Sequence, residues 1–582
     1  MNSKPDSGTT SAPLAAATAP AGVAGAVAAA AVLALVNLAA YAFTYAPVIY
    51  SDDWSTVLAE QVQGRWHWFI QTSFRPFFDM PLILQSMLLG INIPAYHAVL
   101  WVLHLLLALL VFAIARQIPC LRAWPTSLLA ALLFLLYPTD YTVMWLVMMP
   151  IYTSRALALG IIYLLIRFAK GGGRAGYIAA IVLLPLSLGI YDGHIGLIAA
   201  CSVLLVIALP SMSAWRRAAL LVPVAICGAF ALWRLIGPHL ANVSQVDEYA
   251  PQVTASPGEL LSRVLLGYKV TLVWGWTGAV GQLIPALGNS KAALAAVAGA
   301  VVVSAFCVWL ALNYIQRRQP SVATWAMSER RASLRAASWL GLIGLILVGA
   351  GYVPVILVFI PNLAAVGSRV NFYAGLGGVL FLLSLVVGAS VLAARAPRQV
   401  PLLCAAALAP LLAVGLAAQM AVQRSAATAW DEQRAIWQLV MQQAPNLRDH
   451  TFLLIALPGY SDRLGYQTWE RTPLAAPWEV NAAVALLYNN ATLNGGVIFP
   501  GVIGGTESVL TAEGVKRVAA GAIPYDQMVA VEYHRDTGAL TMLDELPADW
   551  VAGAQGPVLI GGTGLVDANP PVAPLRSLLA AP

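Results

Sequence analysis

Ionisable residues are what this 582-residue chain has least of: Asp, Glu, Lys and Arg together make up 10% of it, against about 25% in a soluble globular domain. That scarcity excludes an ordinary water-soluble enzyme. Cysteine is also sparse. The five, Cys120, Cys201, Cys227, Cys307 and Cys404, stand alone in or beside apolar blocks, so neither a zinc-ligand spacing nor a disulfide framework is available. No fixed-period repeat runs along the chain, which removes solenoid folds. The net charge of +6 does not indicate nucleic acid, because the basic residues form short clusters between apolar blocks instead of one patch.

What is present is apolar sequence: 60% of residues are hydrophobic and the mean hydropathy is +0.76. The chain reads as a polytopic membrane protein. Residues 1–20 read as a disordered cytoplasmic tail. The block 21–46 exceeds the roughly 7–15-residue apolar core of a signal peptide, so it is expected to remain as a first span. Five basic clusters order the rest: Arg116 with Arg122; Arg167, Lys170 and Arg174; Arg216 with Arg217; the run Arg317, Arg318, Arg330, Arg331 and Arg335; and Arg395 with Arg398. If all five are cytoplasmic, two crossings lie between each pair. Spans near 21–46, 94–115, 123–138, 142–166, 176–191, 194–210, 218–237, 292–315, 337–360, 372–394 and 399–420 then give eleven helices. The block from Leu260, with Trp274 and Trp276 at headgroup level, reads as re-entrant or interfacial, since a crossing there would turn the five-arginine run outward.

After about residue 421 the texture becomes mixed. "TAWDEQRAIWQLVMQQ" reads as an amphipathic helix. "DHTFLLIALPGY" and "MVAVEYHRDTGALTML" read as strands, the second with a hairpin at Asp536-Thr537-Gly538. The expected organisation is a tail (1–20), a membrane domain (21–420) and an extracytoplasmic α/β domain (421–582).

The few polar residues of the membrane region gather at the outward ends of the spans. "YSDDWSTVLAE" puts Asp52 and Asp53 where the first span exits. The loop after it carries Arg65, Trp66, His67, Arg75 and Asp79. Asp140 follows "YP", Arg155 opens the next helix, Asp192 and His194 lie in "GIYDGHIG", and Arg234 and Arg369 end outward-facing segments. Each has a plainer reading. Ser51 or Asp52 serves equally as a helix N-cap, and Trp66, Trp68, Phe74, Phe77 and Phe78 as an aromatic belt. His97 and His104 read as hydrogen-bonded packing residues without a third metal ligand. Asp140 can cap a helix, and Arg369 can snorkel.

The acidic pair after the first span, the long first loop, the short third and fourth spans joined by "YP", and "SRVNFYAGLGGVLFLL" together resemble membrane glycosyltransferases of the GT-C superfamily. The protein O-mannosyltransferase-like enzymes and their bacterial relatives are the nearest group. The resemblance covers residues 20–420. It implies an inverting transfer from a polyprenyl-phosphate sugar to a hydroxyl of a protein or of an envelope glycan or lipid at the outer membrane face, with no cofactor beyond the lipid-linked substrate. Asp52 corresponds to the catalytic acidic residue and Asp53 to its neighbour. Arg75, Arg155, Arg234 and Arg369 are candidates for the donor phosphate. Asp140, Asp192, His194 and Trp66 are candidates for acceptor or sugar. The chain departs from the family at Pro138, Asp140 and Thr142, and at Tyr191, Asp192 and His194, which leaves the acceptor and a divalent metal open. A transporter or lipid flippase, or a non-catalytic scaffold, remains the competing class. The expected location is the plasma (inner) membrane.

The topology is checked by labelling single-cysteine variants in intact cells: reagent is expected to reach the C-terminal domain and not the 317–335 loop, and the reverse pattern overturns it.

Overall fold

A computed structural model describes residues 23–41, 48–50, 52–55, 75–143, 145–240, 256–289, 295, 298–306, 309, 327–357, 359–363, 365–460, 472–474, 477–500, 508–517, 520–573 and 575–580. Among the described residues, six helices are long and apolar enough to cross a membrane: Ile93–Ala115, Leu146–Ala169, Ala214–Arg234, Met327–Tyr352, Ser368–Ala393 and Val400–Gln443. Val23–Tyr41, Trp124–Leu135, Arg174–Ile190 and Ile195–Ala208 are shorter or less uniform apolar helices packed among them. The segment expected at 292–315 lies mostly outside the described residues.

The basic clusters meet at one end of these helices. Lys170 donates to the Gln117 carbonyl, Arg116 to that of Arg122, Arg216 to that of Phe168 (2.8 Å), and Arg330 Nε to that of Val391 (3.2 Å). Unpaired C-terminal carbonyls accept well from cations, which suits basic residues at helix ends. The acidic and arginine candidates lie at the opposite end.

Pro257–Lys269, a π-turn at Val270–Trp274 and Gly275–Asn289 form one helical path. It stays near the acidic end throughout: Arg263 donates to the Ile356 carbonyl, Thr271 takes bonds from Tyr137 and meets Tyr352, and Gly275 lies against Pro138 and Thr139. The helix expected at 337–360 instead runs Met327–Tyr352. Pro354 ends it, since a proline lacks the N–H the next turn needs, and the Ser-Glu-Arg-Arg stretch is strong enough in helix propensity to start it early.

The last helix does not stop near 420. Val400–Gln443 is a single helix of 44 residues, about 66 Å at 1.5 Å per residue. Residues 421–443 contain neither Gly nor Pro, and Val422, Ala426, Ala429, Trp430, Gln433, Ile436, Trp437 and Val440 form its buried stripe. Beyond it, Asn494–Ile498, Phe452–Ala456, Met528–His534 and Ala539–Leu543 make a four-stranded sheet in that order. The first three strands are parallel, and the last pair is the expected hairpin, with Gly538 at φ +65°. Alternate residues divide the sheet's two faces: Leu453, Ile455, Val529 and Val531 join the helical core, while Phe452, Leu454, Ala456 and Ala530 form a second cluster.

The tightest helix pair is Met327–Tyr352 against Phe372–Ala393, where small residues bring backbones into contact. A Cβ on Gly377 would lie 2.4 Å from the Val348 nitrogen and 2.6 Å from the Gly344 oxygen, whereas one on Gly375 would meet nothing within 4 Å. Gly377→Ala is therefore expected to cost ~1–3 kcal/mol by forcing the pair apart. Gly375→Ala is expected to be neutral or to gain up to ~1 kcal/mol of helix propensity. Thermal unfolding in detergent distinguishes them.

Candidate functional site

The stretch that leaves the first helix is fixed by its second carboxylate. Asp53 is fully buried; its Oδ1 accepts from Val147 N at 2.8 Å and its Oδ2 from Tyr50 N at 3.2 Å. Tyr50 packs against Trp145, ring centroids 5.7 Å apart. Asp53, expected beside Asp52 as a reacting residue, is thus sealed inside and ties Tyr50 and residues 52–55 to the start of the Leu146–Ala169 helix. Burial pushes its carboxyl up to about 8, only partly offset by the Val147, Leu146 and Tyr50 amides, with the charge of Asp52 adding to the rise. Asp52 points elsewhere. It is half-buried, and its Oδ1 accepts from the Trp478 indole at 2.5 Å, 426 residues away in sequence.

The arginines are arranged in two groups. Arg75 (3.0 Å) and Arg234 (2.9 Å) share the two oxygens of Asp192. Burial would raise that carboxyl, but the two guanidiniums outweigh it and hold it below its ordinary value. Arg155 has no exposed surface. It pairs with Asp140 at 2.6 Å and donates to the Arg369 carbonyl at 2.6 Å. Two tyrosines join the groups: Arg75 lies 4.5 Å over Tyr191, Tyr191 stacks on Tyr373 at 6.3 Å, and Arg155 lies 5.6 Å from Tyr373. Arg369 itself rests 5.3 Å from the Phe359 ring, its Nε is buried without a hydrogen bond, and among the described residues no carboxylate pairs with it.

Asp140 and Asp192 therefore serve as counter-ions to the arginines; the sequence expectation had placed them on an acceptor. His194 is fully buried between Ser154 and Ser187 (3.2 and 3.0 Å), which removes it from any acceptor surface and makes it a link between two helices. Trp66 lies outside the described residues. His97 and His104 are the hydrogen-bonded packing residues expected, on the Val48 carbonyl (2.8 Å) and Asn37 (2.9 Å). Beneath the Asp140–Arg155 pair a cavity of about 20 Å³ is lined by His104, Tyr137, Asp140, Tyr152, Phe372 and Gln419. That is room for about one water and too little for a sugar ring. Among the described residues no three His, Cys, Asp or Glu side chains converge as metal ligands.

Residues that sequence reasoning missed come from the C-terminal region. Trp478 reaches Asp52, and the Thr472 carbonyl accepts from the Tyr50 hydroxyl at 3.2 Å. Only the Pro-Trp at a helix start marked this stretch, and nothing local connected it to residue 52.

No family model matches the chain, and no curated protein does. Among solved structures, ArnT from Cupriavidus metallidurans bound to undecaprenyl phosphate matches over 78% of this chain and 85% of that one, at 14% identity and a TM-score of 0.32. A superposition that loose does not establish a common fold.

The raised Asp53 carboxyl favours the folded state while protonated, so its contribution is complete below about pH 4, where the unfolded group titrates, and is lost as pH rises through about 8. Asp53→Asn loses the Tyr50 acceptor and is expected to melt below the wild type at pH 5. Because asparagine does not ionise, the gap should narrow by pH 8. A constant gap in a melting series contradicts the assignment.

Proposed function

We propose that the protein is a polyprenyl-phosphate-sugar-dependent glycosyltransferase of GT-C type that inverts the anomeric configuration, with Asp52 as its general base. The observation that carries this reading is the arrangement at one end of the bundle: among the described residues the Arg369 guanidinium has no carboxylate partner beside the paired Arg75, Arg155 and Arg234, and Asp52 stands half-buried at the exit of the first helix. A phosphate leaving group needs the first, and a hydroxyl nucleophile needs the second.

The chemistry follows from those two charges. Asp52 takes the acceptor hydroxyl's proton as its oxygen bonds to the anomeric carbon, a contribution of typically 10²- to 10⁴-fold. The bond from that carbon to the phosphate oxygen breaks, and the lipid phosphate leaves with the electron pair. Arg369 is the cation best suited to meet it, since its guanidinium is not spent on a carboxylate among the described residues. The Arg75–Asp192–Arg234 group adds a further positive charge. A site at the end of the bundle suits a donor whose tail stays in lipid while its head reaches water. In this reading the chain crosses the plasma (inner) membrane eleven times, with its N-terminus cytoplasmic and residues after about 421 extracytoplasmic, and the acceptor is a hydroxyl of protein or envelope glycan.

Two variants test it by opposite losses. Asp52→Asn is expected to cut transfer at least ~100-fold while binding undecaprenyl phosphate normally. Arg369→Ala is expected to weaken that binding by about 10-fold or more, as the loss of hydrogen bonds to a charged group does. Transfer is read in nanodiscs from radiolabelled undecaprenyl-phosphate hexoses and pentoses to an envelope fraction, and binding from native mass spectrometry. If Asp52 were only a helix cap, asparagine would replace it with little effect. Wild-type turnover in a stable Asp52→Asn protein would falsify the assignment.

A further inference from the structure

The hydrogen bond between Trp478 and Asp52 joins the C-terminal region to the carboxylate at the exit of the first helix. Both sides of it are held by one face of the Val400–Gln443 helix. On the Asp52 side, Trp54 is fully buried, with its ring 6.2 Å from Trp430 and 6.5 Å from Trp437. On the other side, Trp478 is the second residue of the helix Pro477–Leu487, and the next residue, Glu479, is fully buried and accepts from Gln433 Nε2 at 3.0 Å. Positions 430, 433 and 437 are spaced by three and four, so they share one helical face. The Tyr50 hydroxyl on the Thr472 carbonyl makes a second tie between the same two segments. Trp478 is itself 40% exposed, which is unusual for a side chain whose service is packing.

We infer that Trp478 is a positioning residue for Asp52: its indole N–H fixes the carboxylate's rotation, and the C-terminal region thereby completes the site and does not merely flank it. The inference rests on the transferase reading and names how that site is regulated by the rest of the chain. A carboxylate has about four lone-pair positions, so an N–H on one of them orients it while a substrate hydroxyl is met at another. A base held at a fixed angle to the attacking oxygen avoids sampling unproductive rotamers, and small displacements of a catalytic group are costly in rate. The ring also stands beside the carboxylate with part of its surface open to solvent.

The test is a double-mutant cycle in the full chain, using the same radiolabelled undecaprenyl-phosphate sugars and envelope fraction. Trp478→Phe keeps the ring and removes the N–H; transfer is expected to fall about tenfold, with melting temperature and undecaprenyl phosphate binding unchanged. Trp478→Ala should lose at least as much. In an Asp52→Ala background, Trp478→Phe should change the residual rate by less than about twofold, because the group it positions is gone. A purely structural role predicts the same proportional loss in both backgrounds, and that result overturns the inference. So does wild-type transfer by Trp478→Phe when Asp52→Asn is crippled, which leaves the transferase reading intact. Wild-type transfer by Asp52→Asn overturns the reading and this inference together.

Discussion

Arg155 is a guanidinium with no exposed surface in a helical bundle, and the neighbourhood of the site is built to accommodate it. Its charge is met by Asp140 at 2.6 Å, a second N–H goes to the Arg369 carbonyl, and the Phe372 ring lies 4.0 Å away. These partners come from the turn after Trp124–Leu135, from the turn Ala365–Asn371, and from the helix that follows it. Removing one partner would leave a buried charge uncompensated, at a cost of several kcal/mol. The pair is thus less a source of stability than a constraint. Two stretches 214 residues apart in sequence, at Arg155 and Arg369, meet where the guanidinium is satisfied. The turn that carries Arg369 is fixed by its own backbone, and among the described residues no carboxylate pairs with the Arg369 side chain.

The same constraint explains how charge is distributed. Ionised groups are expensive within a bilayer, so the chain places them at two levels and leaves the middle to Leu, Ala, Gly and a few hydrogen-bonded polar residues such as Asn37 and His104. At one level the cations bond backbone carbonyls and need no carboxylate. At the other, Asp140 and Asp192 pair with Arg155, Arg75 and Arg234, and the Tyr191–Tyr373 stack spreads the two cationic groups across an aromatic wall. Asp53 belongs to the folding side of this division, whereas Asp52 keeps part of its surface exposed. They are adjacent in sequence and differ because successive residues of a helical turn point about 100° apart.

Much of this was legible before any coordinates. Apolar block lengths and basic clusters located most helices, and the gathering of Asp52, Arg75, Asp140, Arg155, Asp192, Arg234 and Arg369 at one level followed from the same threading. The Asp-Thr-Gly turn marked the hairpin because a positive φ favours glycine. Pairing was not legible. Nothing local says that Arg75 and Arg234 share Asp192, or that His194 turns inward between two serines, since those choices are made by packing between different helices and loops. Helix ends were misjudged where propensity carried a helix beyond its apolar window, at Met327 and again through residue 420. A hydropathy reading stops where the lipid does, and the backbone has no such reason to stop.

That continuity has a mechanical consequence. Inside the bundle the Val400–Gln443 helix is seated at Gly415, whose backbone approaches the Leu136 carbonyl so closely that a Cβ there would lie 2.3 Å from its oxygen. Leu136 follows directly on Trp124–Leu135, in the stretch that leads to Asp140. From Gly415 to Trp430 there is no glycine or proline to absorb rotation, so the register set by that contact is transmitted outward about 22 Å at 1.5 Å per residue. Residues 430, 433 and 437 therefore present Trp54 and Glu479 with a face whose angle is fixed in the bundle. The relation of Asp52 to Trp478 is accordingly set by helix packing below the site as much as by the loops around it.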